Sequence, residues 1–430
     1  MSTPLLAQYR EIKARHTDAI LFFRMGDFYE MFYEDAQVAA RVLGITLTAR
    51  GDGVPLAGVP VKAAASYLRQ FIAAGHRVAI CEQIEDPRQA KGIVKRAVIE
   101  TITPGAFLDE EFVPGSRNNW LVAVSGDGLA ALDLSTGEFL LERTGPDAVT
   151  EALGRLSPAE VVLPSEADDP PLNAETLRTR RDRWEFDPAL ASEELPRRLG
   201  IASLDGLGLE PADAAAVGAA GALLRYVSEL QPGGLPHLQR PTVRRGDQLC
   251  WVDEMTRRNL ELVEPLRAGA RGVTLFEILD RTMTPMGARL LRQWVVSPLR
   301  DLERITARHE AVELLTRHDR LRARLREALD GVRDIERLAA RAAAGRANPR
   351  EMGALRDSLA RIPMLVEVLS ELPSQQGGLI HHASNSLDPL DDLARDLTDT
   401  LTDRPPITLT DGEVIRSGAD QEIDELRHLR

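Results

Sequence analysis

The apolar run Ala19-Ile20-Leu21-Phe22-Phe23, followed by Gly26-Asp27-Phe28-Tyr29-Glu30-Met31-Phe32, constrains this chain more than any other stretch. Five apolar residues in a row read as a strand. Aromatic residues make up 4% of the chain, yet three of them crowd beside Glu30 into the seven residues from Gly26 to Phe32. Strands alternate their faces, so Phe28 and Glu30 project to the same side. An aromatic face next to a hydrogen-bonding carboxylate suits a flat, partly unstacked ring. The duplex base is the candidate, because apolar wedges in the minor groove unstack and kink DNA. The plainer alternative is a buried Phe beside a solvated Glu.

Around this segment, residues 1–112 alternate short apolar strands with amphipathic helices, which predicts a mixed α/β module. Helices are expected at Leu5 to His16, Tyr33 to Leu43 (ending near Gly44) and Ala63 to Ala74. Strands are expected at Ala19 to Phe23, Ile45 to Ala49, Arg77 to Ile84 and Val94 to Thr103. Residues 113–240 open with three consecutive strands, Trp120 to Val124, Gly128 to Leu134 and Gly137 to Glu142. Helices follow at Pro146 to Leu156 and Ala212 to Leu230, with a Pro/Asp-rich loop at Pro164 to Pro171. The breaker Gln231-Pro232-Gly233-Gly234-Leu235-Pro236 marks the next boundary. Residues 241–430 read as mostly helical, with Arg/Glu-rich helices around 303–330, 333–345 and 350–372. An amphipathic helix from Gln421 to Arg430 has no glycine cap, so the chain reads as cut in mid-helix.

A length of 430 residues suits about two to four domains. The two cysteines, Cys81 and Cys250, lie far apart and suggest a reducing compartment rather than a disulfide framework. Met1-Ser2-Thr3-Pro4 carries no basic-then-apolar signal, and no apolar run is long enough to span a bilayer. The formal net charge of -13 looks wrong for a DNA-binding protein. Acids and bases are nearly balanced in residues 1–112, however, so the excess negative charge lies further along. A near-neutral reader would lean on other modules for phosphate contacts. Lys13, Lys62, Lys91 and Lys95 are the only lysines, and none is preceded by Gly or followed by Ser or Thr. A P-loop needs such a lysine to reach the β/γ-phosphates, so the sequence given holds no Walker A motif and is read as non-enzymatic.

The segment Phe23-Arg24-Met25-Gly26-Asp27-Phe28-Tyr29-Glu30-Met31-Phe32-Tyr33-Glu34-Asp35-Ala36 closely resembles the mismatch-recognition motif of the bacterial MutS family of DNA mismatch repair proteins. Further matches follow in order: Pro55-Leu56-Ala57-Gly58-Val59-Pro60, Val78-Ala79-Ile80-Cys81-Glu82-Gln83-Ile84, Thr103-Pro104-Gly105, Thr256-Arg257-Arg258-Asn259-Leu260-Glu261-Leu262 and Thr284-Pro285-Met286-Gly287-Ala288-Arg289-Leu290-Leu291. The resemblance implies a multidomain chain: a mixed α/β mismatch-recognition domain over 1–112, a ribonuclease H-like α/β connector over 113–240, and part of a mainly helical core and lever region over 241–430. It also implies an N-terminal fragment, with the clamp, the rest of the core and the ATPase region beyond Arg430. ATP and Mg²⁺ would then bind downstream, with no cofactor in this chain. The implied partners are mismatched duplex DNA and MutL, the latter through the connector and core. The complete family protein would be a homodimer and this fragment a monomer, away from membranes, cytoplasmic and associated with the nucleoid.

By that resemblance Phe28 is the wedge that stacks on the mispaired base and Glu30 the acceptor that hydrogen-bonds it. Unstacking costs a few kcal/mol, least where the base is already mispaired, which discriminates without reading sequence. Glu30 finds no partner on a paired base, so its charge opposes binding of a perfect duplex. Arg24, Arg50 and Lys62 are candidate contacts to the DNA backbone, with solvated side chains as the alternative. Met25, Asp27, Tyr29 and Phe32 are expected to support the motif. One departure is that Val61-Lys62 follow Gly58-Val59-Pro60 where the family usually has Tyr-His. Asp133-Leu134-Ser135-Thr136-Gly137 resembles the acidic strand end of ribonuclease H-like nucleases, but metal chemistry needs several convergent carboxylates, and a hairpin turn is the expectation. His381-His382 lack metal-ligand spacing. The Arg-rich helices at 317–345 carry balancing acids and read as solvated. Two rivals stay open: a Mg²⁺-dependent nuclease centred on Asp133, and a protein-interaction scaffold in which Phe28 is inert.

Overall fold

The apolar run forms β1 (Ala19–Met25), and its first five residues are all buried. Ile20 and Phe22 enter one apolar cluster, while Ala19, Leu21 and Phe23 enter another. A strand feeding two cores lies inside a sheet covered on both faces, which explains its lack of polar alternation. The computed structural model describes residues 4–50, 53–85, 92–107, 113–145, 148–234, 237–250, 252–267, 269–373 and 378–429. Two compact units form, residues 1–112 with 119–244, and residues 113–118 with 245–430.

In the first unit, β1 joins β2 (Phe28–Phe32), β3 (Thr48–Ala49), β4 (Pro55–Pro60), β5 (Arg77–Gln83) and β6 (Arg96–Ile102) in a sheet of order β3-β4-β2-β1-β5-β6. β1 runs parallel to β5 and antiparallel to β2. Leu6, Tyr9 and Ile12 of α1 (Pro4–Lys13) cover the Leu21/Phe23 face. The other face takes Ala36 and Ala39 of α2 (Tyr33–Leu43) and Phe71 and Ile72 of α3 (Ala64–Ala73). Asp35, buried in the first turn of α2, binds these layers together. It accepts from Lys13 Nζ at 2.8 Å, Tyr9 OH at 2.8 Å and the Leu21 amide at 3.0 Å, where the helix dipole also favours a negative charge.

A second six-stranded sheet in the same unit has the order β11-β10-β7-β8-β9-β12. Its strands are β7 (Leu121–Ser125), β8 (Gly128–Asp133), β9 (Glu138–Arg143), β10 (Glu160–Pro164), β11 (Leu177–Arg181) and β12 (Thr242–Arg245). β7, β8 and β9 form an antiparallel meander, and β10 and β11 add in parallel beyond β7, the ribonuclease H-like arrangement expected above. α4 (Val149–Leu156) covers one face. α5 (Pro188–Leu199) packs against α6 (Ala214–Leu230), which lies on β7 and β8 from the other side. The small residues of α6 allow a very close approach: a Cβ on Gly128 would sit 2.2 Å from the Ala216 nitrogen.

The second unit is helical: α7 (Glu254–Asn259), α8 (Leu275–Leu279), α9 (Pro285–Val296), α10 (Leu302–Arg317), α11 (Asp319–Leu329), α12 (Ile335–Ala343), α13 (Pro349–Leu359), α14 (Ile362–Glu371), α15 (Leu379–Ser386), α16 (Asp391–Thr400) and α17 (Gln421–His428). Leu338, Leu355, Leu359, Ile362, Leu397 and Leu401 form its core. Two buried arginines bring in residues 113–118. Arg337 donates to the carbonyls of Val113 at 2.8 Å and Arg117 at 2.7 Å. Arg289 donates to Gly115 O at 2.9 Å and forks onto Asp334 at 2.5 and 2.7 Å. No helix among the described residues is long and apolar enough to cross a membrane.

Most expected elements form within a few residues of their expected bounds, and α2 has the bounds read from the sequence. Ile45 to Ala49 shortens to Thr48–Ala49, and the helix expected from Pro146 begins at Val149, residues 146–147 lying outside the described residues. Four strands have no counterpart in the sequence reading: β4, β10, β11 and β12, the last lying where helix is expected. β4 is bounded by Pro55 and Pro60 and contains Gly58, residues that resemble turn punctuation but are tolerated at strand ends. β11 is Leu-Arg-Thr-Arg-Arg, whose charge hides its pairing, and β10 was passed over as the lead-in to the Pro/Asp-rich loop.

Candidate nucleic-acid interface

β1 turns into β2 through Gly26-Asp27, with Gly26 at φ 59°, a conformation that favours glycine. The turn is held from outside by the Val61 amide, which donates to Asp27 O at 2.9 Å. Along β2 the burial alternates and then closes. Phe28 is 46% exposed, Tyr29 is buried, Glu30 is half-buried, and Met31 and Phe32 are buried. Tyr29 and Met31 belong to the cluster under α2 and α3, whereas Phe32 packs on the α1 side. Phe28 and Glu30 therefore share the α1 face of the sheet.

Glu30 pairs with Phe23 on one side and Gly58 on the other, and Phe28 pairs with Met25 and Pro60. Burial pushes the Glu30 carboxyl above the ordinary carboxylate range, and the nearby Arg50 opposes that shift. Such a carboxyl accepts a hydrogen bond when ionised and donates one to a ring nitrogen when protonated.

The hairpin is braced from both faces of the sheet. Tyr29 OH donates to Glu82, burial and that contact push the phenol well up, and the Tyr29 ring lies 5.4 Å from the Phe22 ring. Arg24 donates to Gly26 O at 2.5 Å, reaches Glu82 at 3.3 Å and lies 5.6 Å from the Tyr29 ring centroid. Arg96 of β6 donates to Arg24 O at 2.7 Å and sits 4.8 Å from the Phe23 ring centroid. Tyr33, at φ 56°, carries the chain directly from β2 into α2, with Arg10 donating to its hydroxyl at 2.7 Å.

The five candidate residues thus occupy different settings. Phe28 and Glu30 stand together on one open strip, and Arg50 lies beside Glu30. Arg24 is engaged inside the hairpin brace, and Lys62 is exposed in the 3-10 turn Val61–Ala63 after β4. Among the supporting residues, Tyr29 and Phe32 are buried, Met25 is half-buried and Asp27 is exposed. Sequence reasoning missed Glu82 as the anchor of Tyr29 and Gly58 as the residue opposite Glu30. An interior glycine in a Pro-bounded apolar stretch was the available signal for Gly58.

The remaining candidates are occupied by the fold. Asp133 ends β8 with its carboxylate accepting from the Ser135 amide at 2.9 Å, Ser135 Oγ at 2.7 Å and the Asn119 amide at 3.2 Å. Its carbonyl accepts from the Gly137 amide at 2.8 Å, which makes the segment a turn, as expected. Among the described residues no group of three or more His, Cys, Asp or Glu could hold a metal ion. In the Arg-rich helices, Arg317 pairs with Glu313, Arg322 with Asp319 and Arg324 with Glu371. Cys81 is buried and Cys250 exposed, and both are free thiols.

Comparison with known proteins gives a consistent result along the chain. Residues 3–111 match the family model of MutS domain I, residues 119–239 that of MutS domain II, and residues 255–430 that of MutS domain III. The chain is 42% identical over 447 residues to the DNA mismatch repair protein MutS of Symbiobacterium thermophilum, an alignment covering 100% of this chain and 51% of that relative. Identity to the proteins of the same name from Solibacter usitatus and Myxococcus xanthus is also 42%, covering 100% and 99% of this chain and 51% and 49% of those relatives. The chain spans about half the length of the curated relatives it matches. Carrying all three of these domains in order, the chain belongs to the MutS family.

Proposed function

We propose that this chain binds mispaired or unpaired bases in duplex DNA by inserting Phe28 into the minor groove, stacking it on the mispaired base and bending the duplex. The observation that carries the reading is a phenylalanine left 46% exposed at the tip of a braced hairpin, on the same strip as a half-buried glutamate. An exposed ring on a rigid strand pays little ordering entropy on insertion, and the energy of unstacking is smallest at a mispair. Glu30 then hydrogen-bonds the displaced base and disfavours a perfect duplex. Arg50 tunes that carboxyl and, with Lys62, offers charge to the DNA backbone. Arg24 serves chiefly to hold the hairpin.

On this reading residues 1–112 are the recognition domain, 113–240 the connector, and 241–430 part of the core and lever. P-loop nucleotide hydrolysis is, on this reading, not a property of these 430 residues, none of whose four lysines stands in a Walker A setting. ATP and Mg²⁺, engagement of MutL and homodimer formation belong to the proposal for the whole protein, as does a cytoplasmic, nucleoid-associated location. The test is binding to a G·T-mismatched duplex against its matched partner at two salt concentrations, for the chain and for Phe28→Ala. A mismatch preference that disappears in Phe28→Ala, with equal salt slopes, supports the reading. A preference that survives the substitution overturns it.

A further inference from the structure

Gly58 lies directly opposite Glu30 in β4, between two residues, Ala57 and Val59, that are buried in the core. Its backbone does not call for glycine, since its φ lies outside the left-handed region. Internal packing does not call for glycine either. A Cβ built there would meet Tyr29 O at 3.6 Å, Glu30 Cγ at 3.7 Å and Phe28 Cδ1 at 3.7 Å, all ordinary contacts. Two strand-side glycines of the same unit differ. At Gly128 a Cβ would fall 2.2 Å from a backbone nitrogen, and at Gly105 it would fall 2.7 Å from Glu160 Cβ. Glycine in a strand interior weakens the strand, and where the chain itself does not need it, it marks a close approach by something else.

The side-chain atoms that a Gly58 Cβ would touch belong to Phe28 and Glu30, so the missing group would stand beside both the ring and the stem of the carboxyl. We propose that Gly58 is a specificity-determining position, whose bare backbone is the clearance through which a displaced nucleotide reaches the Phe28 ring and the Glu30 carboxyl together. This rests on the wedge reading above and adds a steric requirement that the two side chains alone do not impose. A methyl group on the floor of the strip lifts the nucleotide away from one of its two contacts. A larger branched group separates it from both. A perfect duplex, which sends no base into the strip, does not meet the added group.

The experiment compares Gly58→Ala and Gly58→Val with the unaltered chain and with Phe28→Ala, measuring affinity for G·T-mismatched and matched duplexes and the thermal midpoint of each variant. Gly58→Ala is expected to keep or raise the midpoint. Its mismatch preference is expected to fall about tenfold, within the range that one added carbon produces in a tight site. Gly58→Val is expected to lose more, and matched-duplex affinity to stay within about twofold, being set by phosphate contacts. If Phe28→Ala loses the preference while both Gly58 variants keep it, the clearance is refuted and the wedge stands. A sharply lowered midpoint in Gly58→Ala also refutes it, because the glycine is then structural. A preference retained by Phe28→Ala, or absent from the unaltered chain, overturns the wedge reading and this inference with it.

Discussion

The two sheets of the first unit each carry a glutamate on a strand, and the two residues have opposite fates. Glu160 in the second sheet is fully buried and its oxygens are taken. It accepts from Thr179 Oγ1 at 2.5 Å, Tyr226 OH at 2.6 Å, the Gly105 amide at 3.3 Å and Thr103 Oγ1, with Arg77 at 3.8 Å. Burial beside that carboxylate pushes the Tyr226 phenol well up. Glu30 in the first sheet is half-buried, with burial raising its pKa and the charge of Arg50 opposing that. A carboxylate with donors from the Thr103–Gly105 turn, β11 and α6, and a cation from β5 nearby, is a joint of the fold, with no acceptor capacity left for a ligand. One in the middle of β2 beside an exposed ring, with no donor to it among the described residues, is available to a ligand. Burial alone would have ranked Glu160 above Glu30 as a functional group, and the donor inventory reverses that order.

Substitution should separate the two glutamates most sharply. Glu160→Ala leaves three hydroxyls and the Gly105 amide without their acceptor, so it should cost about 3–5 kcal/mol of stability in urea unfolding. Glu30→Ala should cost under about 1 kcal/mol on the same scale. Equal losses would erase the distinction between joint and site. Glycines give the next contrast. Gly128→Ala drives a methyl into the α6 backbone and should cost about 1–3 kcal/mol, whereas Gly58→Ala should be neutral or gain a few tenths. Phe28→Ala comes third, at under about 1 kcal/mol, because nearly half of the ring is already in water.

The smallest effect is a pH dependence. Because burial raises the Glu30 pKa in the folded chain, ionising it opposes folding. That penalty is absent below the unfolded value near about 4.3 and grows as pH rises through the folded value. Glu30→Gln should therefore match the parent at pH 4 and be slightly more stable at pH 7. Arg50→Ala, by removing the opposing charge, should enlarge the penalty and extend its growth to higher pH while leaving its onset unchanged. A Glu30→Gln variant less stable than the parent at pH 7 would mean the carboxylate is held by donors after all.

How much of this was legible in the sequence follows from how local each feature is. The period of two in β2 places Phe28 and Glu30 on one face, and that needs no tertiary information. α2 was legible because Gly44, at φ 65°, ends an amphipathic stretch. β4 was not, because its prolines and glycine resemble a turn until pairing with β2 is known. The Glu160 joint was hidden more deeply, since its partners run from Arg77 to Tyr226 and meet only when both sheets form. The brace of Tyr29 by Glu82 was hidden for the same reason, at a separation of 53 residues.

In the function proposed above, Phe28 enters the duplex only at a mispair and bends it there. End-to-end energy transfer on a short duplex labelled at both ends tests this directly, with and without a central G·T pair. Increased transfer is expected when the chain binds the mismatched duplex, with little change on the matched one and loss of the increase in Phe28→Ala. Equal transfer on the two duplexes, or an increase that persists in Phe28→Ala, would contradict the proposed function.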